Sequence, residues 1–478
     1  MSHAEMLIAG HFIGGPCDQA VSKVVIKNPW NGSVFGTAAE GGENEAEAAV
    51  ASASDSFLEW SRSSPSDRSS LLLRIASAVR DRGEELAQLL VGEVGKPITW
   101  AQGEVERMAI TFELSAKSAL ELGPFPQDLS YDKRGSDYEG LWRRVPLGPT
   151  LCITPWNWPF NLGAHKIGPA LAVGNTIVLK PSSLSPVSTL TLTRLIHECD
   201  CPPGVINAIN VPGRIAEKIA QDPRIKKVSF TGSPEVGWRL KELLPKKKVT
   251  LELGGDASIL VMKDAHLNWA AERTATSAYG YAGQVCISAQ HALAEESVYE
   301  RFRSKLVEAT EKCPTGDPSD PKTVCGPLID KDAADRVESW VEEAIAQGAK
   351  PLVRGKREGN TIWPTLLEHV PFASKLGCQE VFGPVLTLEP CKSIEEGIER
   401  INRSRFGIHA SVFTNDALAI ETAEREIEAG GVVINDFPTL RFDDLPYGGV
   451  KESGFGREGV RFAIEEMSEL KSLVKRRA

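Results

Sequence analysis

The sequence predicts an α/β protein made of two successive alternations of strand and helix, and two observations carry that expectation. Between Gly148 and Gly255, five short apolar runs (TLCIT, NTIVLK, GVINAIN, KKVSFTG and VTLELGG) are separated by turns and helix-length segments. From Ala257 onward a second alternation begins, with SILVM, HALAEES, VLTLEP, HASVFT and GGVVIN as its strands. Runs rich in β-branched residues and lacking polar alternation belong to strands buried on both faces, as in parallel sheets with crossover helices. At 478 residues the chain is long enough for about three domains of roughly 150 residues each.

In chain order, the opening part is expected to be helical. Asn44 starts NEAEAAVASASDSFLEW and Ser66 starts SDRSSLLLRIASAVRDRGEELAQLL, each a capping residue ahead of apolar positions spaced three and four apart. A third amphipathic stretch, PITWAQGEVERMAITFELSAKSALEL, carries Pro97 in its first turn. The segment from about Gly123 to Arg144 turns polar and then extended, as an arm would. In the second alternation LNWAAERTATSAYGYAG, YERFRSKLVEATEK, DAADRVESWVEEAIAQG, SIEEGIERINR and DALAIETAEREIEAG supply helices. The chain closes with FAIEEMSELKSLVKRRA, a helix and a short extended basic tail.

Composition narrows the function classes. A net charge of −10 without blocks of like charge offers nothing to neutralise a nucleic-acid backbone or an anionic bilayer, so neither partner is expected. No apolar run approaches the roughly 20 residues of a membrane span, and the N-terminus lacks the cationic start of an export signal. Nine cysteines, an odd number scattered from Cys17 to Cys391, point to free thiols in a reducing compartment and hence to a cytoplasmic location. His197, Cys199 and Cys201 in HECDC lack the second ligand pair of a structural zinc site, and no metal is expected.

Three residues have the chemistry of a catalytic centre. Cys286 lies in YGYAGQVCISAQH, where Gly283 permits close backbone approach and backbone N–H groups can favour a thiolate; a free cysteine is otherwise a small buried hydrophobe. Glu252 ends the run VTLELGG, where a carboxylate either faces a cavity or points to solvent. Asn157 sits in the turn TPWNWPF, where its amide can serve turn geometry or donate to a developing oxyanion.

TPWNWPF, KPSS, FTGSPEVG, LELGG, GQVC, QEVFGPV and PYGGVKESGFGREG occur in this order, and with them nearly the whole chain resembles the aldehyde dehydrogenase superfamily. The segments NLGAHKIGPALA, YAGQVCIS and GGVVINDFPTLRFDDLPYGG look most like the branch of lactaldehyde and non-phosphorylating glyceraldehyde-3-phosphate dehydrogenases. The resemblance implies a Rossmann-type nucleotide-binding domain from residues 1–123 and 147–254 and a second α/β catalytic domain from 255–460. It also implies a β-hairpin oligomerisation arm, 124–146 with the C-terminal segment 461–478, that builds a homodimer or homotetramer. Cys286 matches the family's nucleophile, Glu252 its general base and Asn157 its oxyanion donor.

The implied cofactor is NAD or NADP, held without the usual G-x-G-x-x-G. Gly232 and Ser233 match the family's pyrophosphate turn at a helix N-terminus, Lys180 the lysine near the adenine ribose, and Glu380 and Phe382 the pair that orients the nicotinamide ribose and ring. Thr154, Trp156, Gly213 and Leu253 complete the set. Ser183 stands where NAD-preferring members carry Glu, which removes a repulsion and makes NADP acceptable. The implied reaction is oxidation of a small aldehyde to its acid through a thiohemiacetal and a thioester. The rivals are transfer of the acyl group to coenzyme A, or a non-enzymatic role on the same scaffold. Arg107, His165 and Arg441 fall where this branch can line a substrate entrance and would suit a short hydroxy- or anionic aldehyde. Their plain alternatives are a salt bridge from Arg107 to Glu104 or Glu106, packing of His165, and pairing of Arg441 with Asp443 or Asp444.

Overall fold

The computed structural model describes residues 2–18 and 20–477; Gln19 and the two terminal residues, which the expected domain ranges include, lie outside the described residues. All five apolar runs before Gly255 are strands: Thr150–Ile153, Ile177–Lys180, Ile206–Ala208, Lys227–Thr231 and Lys248–Glu252. They pair in parallel within an eight-stranded sheet. From Thr150–Ile153 the chain adds two strands on one side and then two on the other. The order therefore reverses between Thr150–Ile153 and Lys227–Thr231, where a doubly wound sheet opens a crevice at its carboxyl edge. Gly454–Phe455 and the pair Met6–Ile8 and His11–Ile13 complete the edges in antiparallel fashion.

Alternate side chains of these strands enter two different cores. Leu151, Ile153 and Val178 pack with Val50, Ile215 and Leu240, while Cys152, Ile177 and Leu179 pack with Phe112, Phe160 and Ile167. Both faces are dry, so the sequence shows no polar alternation. The second sheet has the order Lys350–Val353, Thr365–Glu368, Val385–Cys391, Ala289–Glu295, Ala257–Val261, His409–Phe413, Gly431–Ile434, and all but its first strand run parallel. It is two-faced as well: Ile259 and Val261 enter one core, Leu260 and Met262 another. A third sheet joins Phe125–Gln127, Tyr138–Pro146 and the C-terminal strand Ser468–Arg476, whose Leu470, Leu473 and Val474 are exposed.

Several local expectations are corrected. The chain before residue 41 is not helical: Ser2–Ala4, Ser22–Lys27 and Val34–Glu40 form a small sheet of their own, of which Ser2–Ala4 is too short to leave a periodicity to detect. The first helix starts at Glu43 because the Glu45 carboxylate turns back to accept from the Gly42 N–H. The second begins at Pro65 under a Ser64 cap and ends at Asp81, with a separate helix over Gly83–Val94. Pro97 lies just outside the helix Ile98–Ala119. The helix expected through Gly283 is Leu267–Tyr279 and stops short of it. Lys350–Val353 and Thr365–Glu368 were not expected; the first is an edge strand containing Pro351.

Candidate active site

The helix before Cys286 gives way to three consecutive left-handed residues, Tyr281, Ala282 and Gly283, with φ of 51°, 55° and 69°. A Cβ at 283 would also strike the carbonyl oxygen of Gly383, so only glycine fits there. This sharp turn ends at Cys286, whose Sγ lies 3.0 Å from the Tyr447 hydroxyl. Burial pushes the Cys286 thiol up to about 12, with the Tyr447 hydrogen bond opposing, so the resting sulfur is neutral.

Glu252 ends its strand between Thr231 and Gly454 and is only 3 % exposed. Among the described residues neither of its carboxyl oxygens has a hydrogen-bond partner. Burial, then the neighbouring Glu458 charge, holds its pKa well above the usual carboxylate range, against Arg441, Lys166 and Arg457. Glu458 takes the opposite course. Burial raises it too, but Lys166 (Nζ to Oε1 2.8 Å) and Arg441 (Nη2 to Oε2 3.3 Å) outweigh that and keep it ionised.

Asn157 occupies the turn between Thr150–Ile153 and the helix Pro159–Val173, and its Nδ2 donates to the Gln284 carbonyl at 2.9 Å. A carboxamide nitrogen carries two N–H groups, so one remains for a ligand beside Cys286. The turn is braced from below by Glu104. One of its oxygens accepts from the Phe160 and Asn161 N–H groups at 2.9 and 3.1 Å, and the other pairs with Lys96. Both members of that ion pair are fully buried, and the Lys96 ammonium stands 3.8 Å over the Trp158 ring.

A cleft of about 210 Å³ opens at the sulfur and is lined by Trp100, Arg107, Trp158, Cys286, Arg441 and Tyr447 among others. Arg107 and Arg441 are thus brought to the cleft, whereas His165 is buried behind it. All three converge on Asp443: Arg107 binds it bidentately at 3.0 and 2.6 Å, His165 Nε2 at 2.8 Å, and Arg441 Nε lies 3.7 Å away. The expected pairing of Arg107 with Glu104 or Glu106 is replaced by this contact, because Glu104 is committed to Lys96 and Glu106 to Arg80. Burial lowers the pKa of His165, leaving the imidazole neutral, and His165 with Arg107 outweighs burial to hold Asp443 far below its usual range.

The remaining candidates lie along the carboxyl ends of the first sheet and the facing turn of the second. Thr154 follows Thr150–Ile153, and its buried Oγ1 has no partner among the described residues. Lys180 ends the next strand, burial lowering its ammonium pKa, with exposed Ser183 three residues on. Gly213 opens the helix Gly213–Gln221, and Ser233 caps Pro234–Leu243. The Gly232 N–H donates to the Glu252 carbonyl at 3.0 Å, and the Leu253 N–H to the Ser453 carbonyl. Glu380 accepts from the Gly255 N–H at 3.0 Å, and burial raises it to about 8. Phe382, at φ 45°, sets its ring edge-on to Trp156 at 5.6 Å.

Sequence reasoning passes over Tyr447, Lys166, Glu458 and Lys96, and names Asp443 and Glu104 only as salt-bridge partners of the two arginines. Tyr447 and Glu458 stood in the quoted PYGGVKESGFGREG, but a phenol and an acid in a glycine-rich loop announce no partner. Asp443 was weighed only as a neighbour of Arg441. Lys96 and Glu104 are an isolated lysine and a helical acid until the fold stacks them.

Comparison with known proteins finds relatives along nearly the whole chain. The model of the aldehyde dehydrogenase family matches residues 17–473. The 3-sulfolactaldehyde dehydrogenase of Priestia aryabhattai is 38 % identical over 466 residues, 97 % of each chain. The lactaldehyde dehydrogenase of Methanococcus aeolicus is 39 % identical over 456 residues, 94 % of this chain and 97 % of that one. The NADP-dependent glyceraldehyde-3-phosphate dehydrogenase of Bacillus halodurans, solved with NADP, superimposes with a TM-score of 0.96 at 31 % identity, covering 100 % of both chains.

Proposed function

The chain belongs to the aldehyde dehydrogenase family, and on that footing we propose that it oxidises a short hydroxy- or anionic aldehyde to the free acid on Cys286. It is an oxidoreductase that acts on aldehydes with NAD or NADP. The observation that carries the mechanistic reading is a thiol at the cleft with, close by, an amide that keeps a spare N–H and holds the Gln284 carbonyl two residues before the sulfur, and a buried carboxyl, without partners among the described residues, whose charge bears on that sulfur.

The crevice fits a dinucleotide. An unpartnered Thr154 hydroxyl, a capped helix N-terminus after Gly232 and the Lys180 ammonium all gather at the carboxyl edge of the first sheet. When bound there, NAD or NADP supplies the hydride acceptor. Cys286 Sγ adds as thiolate to the aldehyde carbon, and the resulting oxyanion accepts from Asn157 Nδ2 and the Cys286 N–H. After hydride loss the carbon is a thioester. Glu252, once ionised, takes a proton from water, whose oxygen adds to the thioester; the acid leaves and the thiolate returns. Glu252 supports hydrolysis over transfer to coenzyme A. Ser183, exposed beside Lys180, supports acceptance of NADP.

The substrate class rests on Arg107 and Arg441 at a small cleft. Both are already paired, with Asp443 and Glu458, so their pull on a substrate anion is moderate and hydrogen bonding to a hydroxyl fits the site as well. We further propose the division of labour 1–123 with 147–254 for the nucleotide, 255–460 for the thiol, and 124–146 with 461–478 for assembly as a homodimer or homotetramer. The nine free thiols support a reducing, cytoplasmic setting.

The test is reduced-nicotinamide absorbance with lactaldehyde, 3-sulfolactaldehyde, glyceraldehyde 3-phosphate and propanal, each with NAD and with NADP, with and without coenzyme A. We expect acid without coenzyme A and preference for the three substituted aldehydes over propanal. A strict need for coenzyme A would overturn hydrolysis, and equal efficiency on propanal would overturn the substrate class.

A further inference from the structure

We infer that Tyr447 is a further catalytic residue, its hydroxyl donating a hydrogen bond to the Cys286 sulfur and so stabilising the nucleophile as a thiolate. The inference rests on Cys286 being the nucleophile. It starts from geometry. The phenol oxygen lies 3.0 Å from Sγ, and among the described residues the sulfur is the sole hydrogen-bond partner this oxygen has. A phenol and a thiol can each donate, but only the phenol still has a proton to give once the sulfur is ionised. Its role therefore grows when the thiol loses its proton to solvent. A buried hydroxyl facing a thiolate makes a charge-assisted bond, whereas facing a thiol it makes a weak one.

The surroundings fix the ring and sharpen the donor. Tyr447 is locked by two backbone bonds with Glu458, its N–H giving to the Glu458 carbonyl at 3.0 Å and its carbonyl accepting from the Glu458 N–H at 2.7 Å. The Arg441 guanidinium carbon stands 3.7 Å from the ring centroid, and His409 meets the ring edge at 5.3 Å. A cation against the ring face withdraws charge from the phenol and strengthens its O–H as a donor. Burial keeps the phenol protonated far above neutral pH. The charges of Glu252, at its strand end, and of Glu380, in the turn before Val385–Cys391, oppose a thiolate, and Arg441 favours one. Tyr447 is the group in direct contact with the sulfur that favours the ionised form.

The experiment is the pH profile of Cys286 alkylation by iodoacetamide in wild type and in Tyr447→Phe, the labelled peptide being resolved by mass spectrometry from those of the other cysteines. Cys286→Ala sets the background, and circular dichroism with a thermal melt checks the fold. Phe keeps the ring and its packing and removes only the donor. We expect the alkylation midpoint to rise by about one to two units. We also expect kcat/KM to fall about tenfold or more at neutral pH, with the gap closing as pH rises. An unchanged or lowered midpoint overturns the inference, even if kcat falls, because loss of packing alone lowers rate without moving the profile. If alkylation of Cys286 in wild type leaves turnover intact, the nucleophile itself has been misassigned, a result distinct from failure of the Tyr447 arm. Should Tyr447→Phe melt early, both alkylation profiles are read at a temperature where circular dichroism shows both proteins folded, and an unchanged midpoint there overturns the inference.

Discussion

Glu104 and Glu252 are both buried glutamates beside turns of the candidate site, and their surroundings are opposites. Glu104 is saturated, accepting from two N–H groups and pairing with Lys96, which itself stacks on Trp158. Among the described residues Glu252 has no partner on either oxygen, and of the cations near it Lys166 and Arg441 are bound to Glu458 while Arg457 donates to backbone carbonyls. On the proposed mechanism, the fold satisfies the acid that braces a turn and leaves unsatisfied the acid that changes protonation. An unpaired buried carboxyl is costly, and that cost is what raises its pKa toward the range useful for a base.

This contrast can be broken at either end. Cys286→Ala should lower turnover by about ten-thousandfold or more without weakening dinucleotide binding, checked by steady-state kinetics and fluorescence titration. Glu252→Gln should keep a single burst of reduced nicotinamide while slowing steady turnover about a hundredfold to ten-thousandfold, read by stopped flow. Because Glu252 is proposed to work ionised and its pKa is raised, wild-type turnover should decline with falling pH at a higher pH than an ordinary glutamate would set, read from the pH profile of kcat.

On the supporting side, Glu104→Ala leaves the Lys96 ammonium buried alone and should cost about 3–5 kcal/mol in chemical denaturation. If Glu104→Ala proved as stable as wild type, the structural half of the contrast would be lost. The mildest expected change is at the cofactor crevice. Ser183→Glu should shift the NADP-to-NAD ratio of kcat/KM toward NAD by about tenfold, one charge repulsion at a partly solvated site. No change there would mean that Ser183 does not face the ribose.

How much of this was legible depended on range. The parallel strands and the turns holding Asn157, Gly232 and Glu252 were readable, because buried β-branched runs and strand-end motifs are local signals. The three-residue strands before residue 41 were not, and neither was the split at Arg82, since amphipathic spacing continues across the break. The partners of Arg107 and Arg441 needed the fold. Asp443 is 336 residues from Arg107, and no pattern in the chain links them. The YGYAG segment misled because small residues after a helix extend its periodicity, whereas the backbone there turns left-handed.

That left-handed turn ties two loops together. Gly283 lies against the Gly383 carbonyl with no room for a methyl group, so the peptide leading to the sulfur and the peptide following Phe382 abut like the faces of a mitre joint. Neither peptide can advance on the other without a backbone clash, so the loop that carries the sulfur and the one that carries Phe382 keep a fixed minimum spacing.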